Sequence, residues 1–157
     1  MKKLDITVPV TVVSYDELSP EDRHLVDLAR EATHRSYAPY SKFCVGAAIL
    51  LSNGEFVTGA NQENAAFPSG TCAERTACYY AHARYPEAKF ETITIAARGT
   101  DGLEIVNPVA PCGACRQALL EYETLAGKNV KVILVGRNDI YILPSVASTL
   151  PLAFSEF

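Results

Sequence analysis

The feature that most restricts how this chain can fold is a pair of cysteine-bearing stretches, each opening a predicted helix. One is Thr71-Cys72-Ala73-Glu74-Arg75; the other is Pro111-Cys112-Gly113-Ala114-Cys115-Arg116-Gln117. Side chains three apart on a helix share a face, so Cys112 and Cys115 can grip one ion. The positive end of a helix also favours thiolate over thiol. Cys72 at the second helix start brings the donor count to three. Three protein donors leave the fourth tetrahedral position of a zinc ion to water, as in a catalytic site and unlike a structural one. A fold that uses this set must bring the two helix starts together.

Glu74, two residues after Cys72, is the natural proton shuttle beside such an ion. Three thiolates on a divalent cation leave a net charge of about −1, which weakens the pull on water. Helix N-termini offset part of it, and Arg75 can offset more by donating hydrogen bonds to the sulfurs. Two plainer readings compete. A Cys-x-x-Cys alone also fits a redox pair, but that leaves Cys72-Ala73-Glu74 without a purpose. A structural zinc needs a fourth ligand, and His82 is the only candidate nearby.

The rest of the chain bounds the partners. Over 157 residues the hydrophobic fraction is 48%, the charged fraction 20% and the net charge −4, with basic residues scattered. That argues against a nucleic-acid partner and for a small substrate. No segment approaches a membrane span. Residues 1–13 faintly imitate a signal peptide, but Asp5, Thr7, Pro9 and Thr11 interrupt the apolar stretch. A cytoplasmic location is expected, where five cysteines stay reduced.

Ser19-Pro20-Glu21-Asp22 reads as a helix start, with Leu25, Leu28, Ala29 and Ala32 as its buried stripe. Phe43 to Leu51 and Phe56 to Ala60 form a hairpin across Asn53-Gly54, and residues 61–71 read as a loop. Helices are expected from Cys72 to Arg84 and from Cys112 to Glu123. Strands are expected at Phe90 to Ala97, Val130 to Val135 and Tyr141 to Leu143, with a short helix from Ser145. Alternating Leu4, Ile6, Val8, Val10 and Val12 suggest an edge strand or ordered arm within residues 1–18. The order predicts one domain over residues 1–157, with a mixed sheet flanked by helices.

Four ordered stretches carry a resemblance to a known family. They are Tyr37-Ala38-Pro39-Tyr40-Ser41-Lys42-Phe43-Cys44-Val45-Gly46-Ala47-Ala48, Asn61-Gln62-Glu63-Asn64-Ala65-Ala66, Cys72-Ala73-Glu74-Arg75-Thr76-Ala77 and the Pro111–Gln117 stretch. Together they resemble the short, homotetrameric cytidine deaminases from about Leu25 to Phe154. The resemblance implies a three-layer α/β/α sandwich with a mixed five-stranded sheet. It implies one zinc ion per subunit and hydrolysis of cytidine and deoxycytidine to uridine and deoxyuridine, a reaction of pyrimidine salvage. It further implies that Asn61 and Glu63 hold the ribose hydroxyls, that Phe43 stacks on the pyrimidine, and that backbone groups at Ala73 and Glu74 meet the base. Phe154 resembles the family's C-terminal aromatic, which reaches into a neighbouring subunit's site.

The chain departs from that pattern at Cys44, where relatives often carry proline, and at Phe67, where many carry tyrosine. Residues 1–18 and the loop Pro68-Ser69-Gly70-Thr71 also differ. Read on residues alone, Phe43 belongs to the core, Glu63 is a solvated loop residue, and Phe154 caps its own subunit. Cys44 and Cys78 read as core thiols, and His24, His34 and His82 lack ligand partners at matching spacing. Rival activities on the same scaffold are deamination of another ring, such as blasticidin S, or of RNA. The rival from a different class is a non-catalytic zinc or redox module.

Overall fold

The computed structural model describes residues 1–155. In chain order the elements are β1 (Thr11–Val13), α1 (Pro20–Ala32), β2 (Phe43–Leu51), β3 (Phe56–Ala60), α2 (Ala73–Arg84), β4 (Phe90–Gly99), α3 (Gly113–Ala126), β5 (Lys131–Val135) and β6 (Ile140–Leu143). Short 3-10 turns lie at Tyr15–Glu17, Thr33–Arg35, Phe67–Ser69 and Ala147–Thr149.

The strands form one mixed sheet in the order β1-β6-β5-β4-β2-β3. Among the described strands only β4 and β5 run parallel, and α3 makes the crossover between them. The sheet has six strands, one more than the five expected. The extra one is β1, whose Thr11, Val12 and Val13 pair antiparallel with Ile142, Tyr141 and Ile140. The rest of the alternating stretch, residues 1–10, carries no regular secondary structure and is exposed.

Both sheet faces are covered, which explains why the central strands read as continuous apolar runs. Ala48, Leu50, Ala96, Ile133, Val135 and Ile140 meet Leu25, Val26 and Ala29 of α1. Their odd-even neighbours Ala47, Ile49, Ile93, Ile95, Val132 and Leu134 face the opposite layer, where Ala73, Ala77, Ala81, Leu119 and Leu120 come from α2 and α3. Each fully buried Ile or Leu here contributes about 1.5–3 kcal/mol. The result is the expected α/β/α sandwich.

Local chemistry sets the helices. Ser19 accepts the Asp22 amide through its hydroxyl at 3.1 Å and Pro20 occupies the first turn of α1. α3 runs on to Ala126, beyond the expected Glu123, because it stops only at Gly127, whose φ of 67° suits a left-handed cap. A close approach fixes α2. A Cβ on Gly59 of β3 would lie 2.5 Å from the Ala77 amide nitrogen and 2.7 Å from the Ala73 carbonyl oxygen. The missing side chain lets α2 rest directly on the sheet. Among the described residues, no helix is long and apolar enough to cross a membrane.

Candidate active site

α2 and α3 lie on the same face of the sheet, and each has a cysteine at its N-cap. Cys72 (φ −75°, ψ 156°) precedes α2 and Cys112 (φ −64°, ψ 164°) precedes α3, both in extended conformation. Cys115 sits one turn into α3 and is fully buried, whereas Cys112 is exposed. The three sulfurs lie within 4.8 Å of one another, with Cys112 and Cys115 3.5 Å apart. Tetrahedral zinc with Zn–S bonds of about 2.3 Å needs sulfurs about 3.8 Å apart, so this donor set fits that ion. All five cysteines are free thiols.

The electrostatics follow from this crowding. A hydrogen bond from the Cys115 thiol, aided by Arg75, pulls Cys72 down to about 5. The same shared proton, together with burial, pushes Cys115 up. Arg75 Nη2 stands 3.7 Å from the Cys72 sulfur, and its guanidinium is held more firmly charged by that contact. Arg75 Nε is buried with no partner among the described residues, a spare donor beside the sulfurs. Glu74 is only 5% exposed, and burial raises its carboxyl above the usual range, with the Cys72 charge adding to the effect.

A cavity of about 390 Å³ opens beside Cys72 and Arg75, lined also by Asn61, Glu63, Tyr40 and Phe67. That volume lies within the range of small-molecule sites. Ala73, Glu74, Phe43 and Phe154 do not line it. Phe43 is half-buried at the start of β2, and Ala73 is fully buried in the first turn of α2. Phe154 is 68% exposed, and its carbonyl accepts from Gln117 Nε2 at 2.8 Å.

Asn61 and Glu63 carry contacts that sequence reasoning did not anticipate. The Asn61 amide oxygen accepts from the Val45 amide at 2.8 Å and the Ser36 hydroxyl at 2.5 Å; its Nδ2 donates to the Phe43 carbonyl at 2.9 Å. Asn61 therefore clamps the segment that presents Phe43. Glu63 accepts the backbone amides of Tyr40 at 2.9 Å and Ser41 at 3.2 Å. The Ser41 hydroxyl hydrogen bond, with these amides, holds the Glu63 carboxyl below the usual range. It braces a turn that ends at Lys42, whose φ of 59° is left-handed for a non-glycine residue. Tyr40 and Phe67, in edge-to-face contact at 6.0 Å, complete the cavity wall. Both stand in segments already singled out, but no spacing rule marks an aromatic as cavity lining.

An α/β/α sandwich whose two helix starts gather three thiols beside a buried carboxylic acid defines a metal-dependent hydrolytic enzyme. The comparisons narrow the class. Residues 19–132 match the family model described as the cytidine and deoxycytidylate deaminase zinc-binding region. A cytidine deaminase of Halalkalibacterium halodurans is 39% identical over 132 residues, covering 83% of this chain and 92% of the relative. One from Sporosarcina psychrophila is 37% identical, covering 84% and 90%. The crystal structure of a cytidine deaminase from Burkholderia pseudomallei superposes with a TM-score of 0.71 at 33% identity, over 87% of this chain and all of that one. That of the Mycobacterium tuberculosis cytidine deaminase gives 0.66 at 28% identity, over 88% of this chain and 100% of the other. The chain belongs to the zinc-binding cytidine and deoxycytidylate deaminase family.

Proposed function

We propose that this protein hydrolyses cytidine and deoxycytidine to uridine and deoxyuridine with release of ammonia, using one zinc ion per subunit held by Cys72, Cys112 and Cys115. The observation that carries this reading is the convergence of three sulfurs beside the buried Glu74. Zinc bound there supplies a Lewis acid that makes water nucleophilic near neutral pH. Arg75 offsets the surplus negative charge of three thiolates from its position beside Cys72.

Glu74 manages the protons. Its carboxylate takes one from the attacking water and delivers it to the ring nitrogen of the base. A second proton then leaves the tetrahedral carbon's hydroxyl through Glu74 for the departing amine. A shuttle must be basic enough to accept the proton and acidic enough to release it, and burial moves the Glu74 carboxyl toward greater basicity. Backbone groups at Ala73 and Glu74 orient the base and Phe43 stacks on it. Asn61 keeps one amide proton beyond its donation to Phe43, and Glu63 keeps acceptor capacity, so together they suit a ribose hydroxyl that both accepts and donates.

The working assembly in this reading is a homotetramer in the cytoplasm, with Phe154 closing a neighbouring subunit's site. Ammonia release from cytidine, deoxycytidine and blasticidin S, with and without a chelator, tests the assignment. Turnover of both nucleosides that disappears on chelation is expected. Turnover of blasticidin S alone, or none with zinc bound, would overturn it.

A further inference from the structure

The first turns of α3 supply Cys112 and Cys115, and the same helix holds the chain end. Arg116 and Glu123 stand two turns apart and so share a face of α3. The Glu123 carboxylate is buried and accepts three backbone amides: Val130 at 2.8 Å, Val146 at 2.7 Å and Ala147 at 3.0 Å. Arg116 does the complementary job with carbonyls. Its Nε donates to the Pro111 carbonyl at 2.7 Å and its Nη1 to the Thr149 carbonyl at 2.9 Å. Gln117 adds the bond to the Phe154 carbonyl at 2.8 Å.

The two carbonyls that Arg116 joins belong to different working parts. Pro111 immediately precedes Cys112, so holding its carbonyl restrains the peptide that leads into that residue. Thr149 is the last residue of the turn Ala147–Thr149, from which residues 150–155 run out to Phe154. A guanidinium is a rigid plane, so two of its donors cannot move independently. A lysine ammonium lacks the fork needed to bridge both carbonyls with the same geometry.

We propose that Arg116 is a positioning residue that holds the loop delivering Cys112 and the C-terminal segment in one register, so that metal occupancy and the order of residues 150–155 depend on each other. The proposal rests on the reading that the three sulfurs hold zinc. Linkage makes the dependence reciprocal: whatever zinc contributes to ordering the segment, the segment's tether contributes to holding zinc.

Hydrogen exchange read by mass spectrometry tests it, on the full chain with zinc and after removal by chelator. Zinc content of the unmodified chain is measured first. The Thr149 and Leu150 amides, which donate to the Val146 and Ala147 carbonyls in the turn that Arg116 holds, are expected to exchange about five-fold faster or more once zinc is removed. Those of α1, on the opposite face of the sheet, are expected to exchange alike in both forms. In Arg116→Lys the zinc dependence of the Thr149 and Leu150 amides should vanish, and zinc should pass to a chelator faster by a similar factor. Retention of the dependence in that variant overturns the proposal. If Arg116→Lys does not fold, the unmodified chain decides, because equal exchange with and without zinc overturns it as well. A chain that holds no zinc overturns the three-sulfur reading and this one together. A zinc-loaded chain with unaltered exchange overturns only the role of Arg116.

Discussion

Glu74 and Arg75 are neighbours in sequence with opposite tasks, and the structure separates them by burial. Glu74 is buried beside the sulfurs of Cys72 and Cys115, while Arg75 reaches the Cys72 sulfur from the cavity side. Their substitutions should therefore fail differently. Glu74→Gln keeps the shape and the sulfurs but loses the exchangeable proton. It is expected to retain zinc on dialysis while turnover falls by about 10³-fold or more. Arg75→Gln removes charge compensation, so zinc should be lost more readily, by about ten-fold or more in affinity. Equal zinc retention in Arg75→Gln and the unmodified chain would show that the helix ends alone balance the thiolates. At this scale the sequence was most readable where chemistry demands particular atoms. Three sulfurs and a carboxylate could be picked out by type and spacing. The clamp from Asn61 to Phe43, Val45 and Ser36 could not, because an amide's partners depend on which backbone atoms the fold brings near it.

At the scale of elements, the placement of α2 hangs on a backbone contact. Gly59 of β3 lies against Ala73 and Ala77, so a methyl group there pushes the helix that begins at Cys72. Gly59→Ala is expected to lower the thermal midpoint by roughly 5 °C and to weaken zinc retention. An unchanged midpoint and metal content would show that α2 can shift freely. The α2–α3 layer also contains Tyr122, stacked on Phe90 at 4.7 Å with rings 7° from parallel. Burial pushes its phenol up to about 12. The folded chain thus holds this proton more tightly than the unfolded one, in which tyrosine ionises near 10. Stability from this group is complete below pH 10 and falls as pH rises from about 10 to 12. Tyr122→Phe should flatten that alkaline loss in midpoint-against-pH measurements. Cys78, also pushed up to about 12 by burial, contributes a loss of the same sign that this substitution leaves in place. Helix starts were plain from Ser19-Pro20 and from the cysteine N-caps. The short pairing of β1 was not. The alternation of residues 4–12 names a strand but not where pairing begins, and Pro9, with no amide proton, cannot donate to a partner strand.

For the whole molecule, the exposed aromatics suggest where other chains meet this one. Phe154 is 68% exposed, and Tyr79 and Tyr80 on α2 are 51% and 58% exposed. Aromatic residues of this kind are enriched at protein interfaces. Sedimentation is expected to give about four times the chain mass, and Phe154→Ala to raise KM for cytidine about ten-fold with a smaller change in kcat. An unaltered KM would remove Phe154 from any site. Layer order was readable because strands buried on both faces leave long apolar runs. The fastening of the chain end by Arg116, Gln117 and Glu123 was not, since their partners are backbone atoms with no signature in the sequence.

The gathering of sulfurs from two helix starts has a thermodynamic side as well. An ion shared by Cys72, Cys112 and Cys115 is a removable staple across a long loop of chain, and it closes only in the native arrangement. Heat tolerance then becomes a property of the solution as much as of the polypeptide: each tenfold drop in free metal withdraws about 1.4 kcal/mol, until the bare fold stands alone.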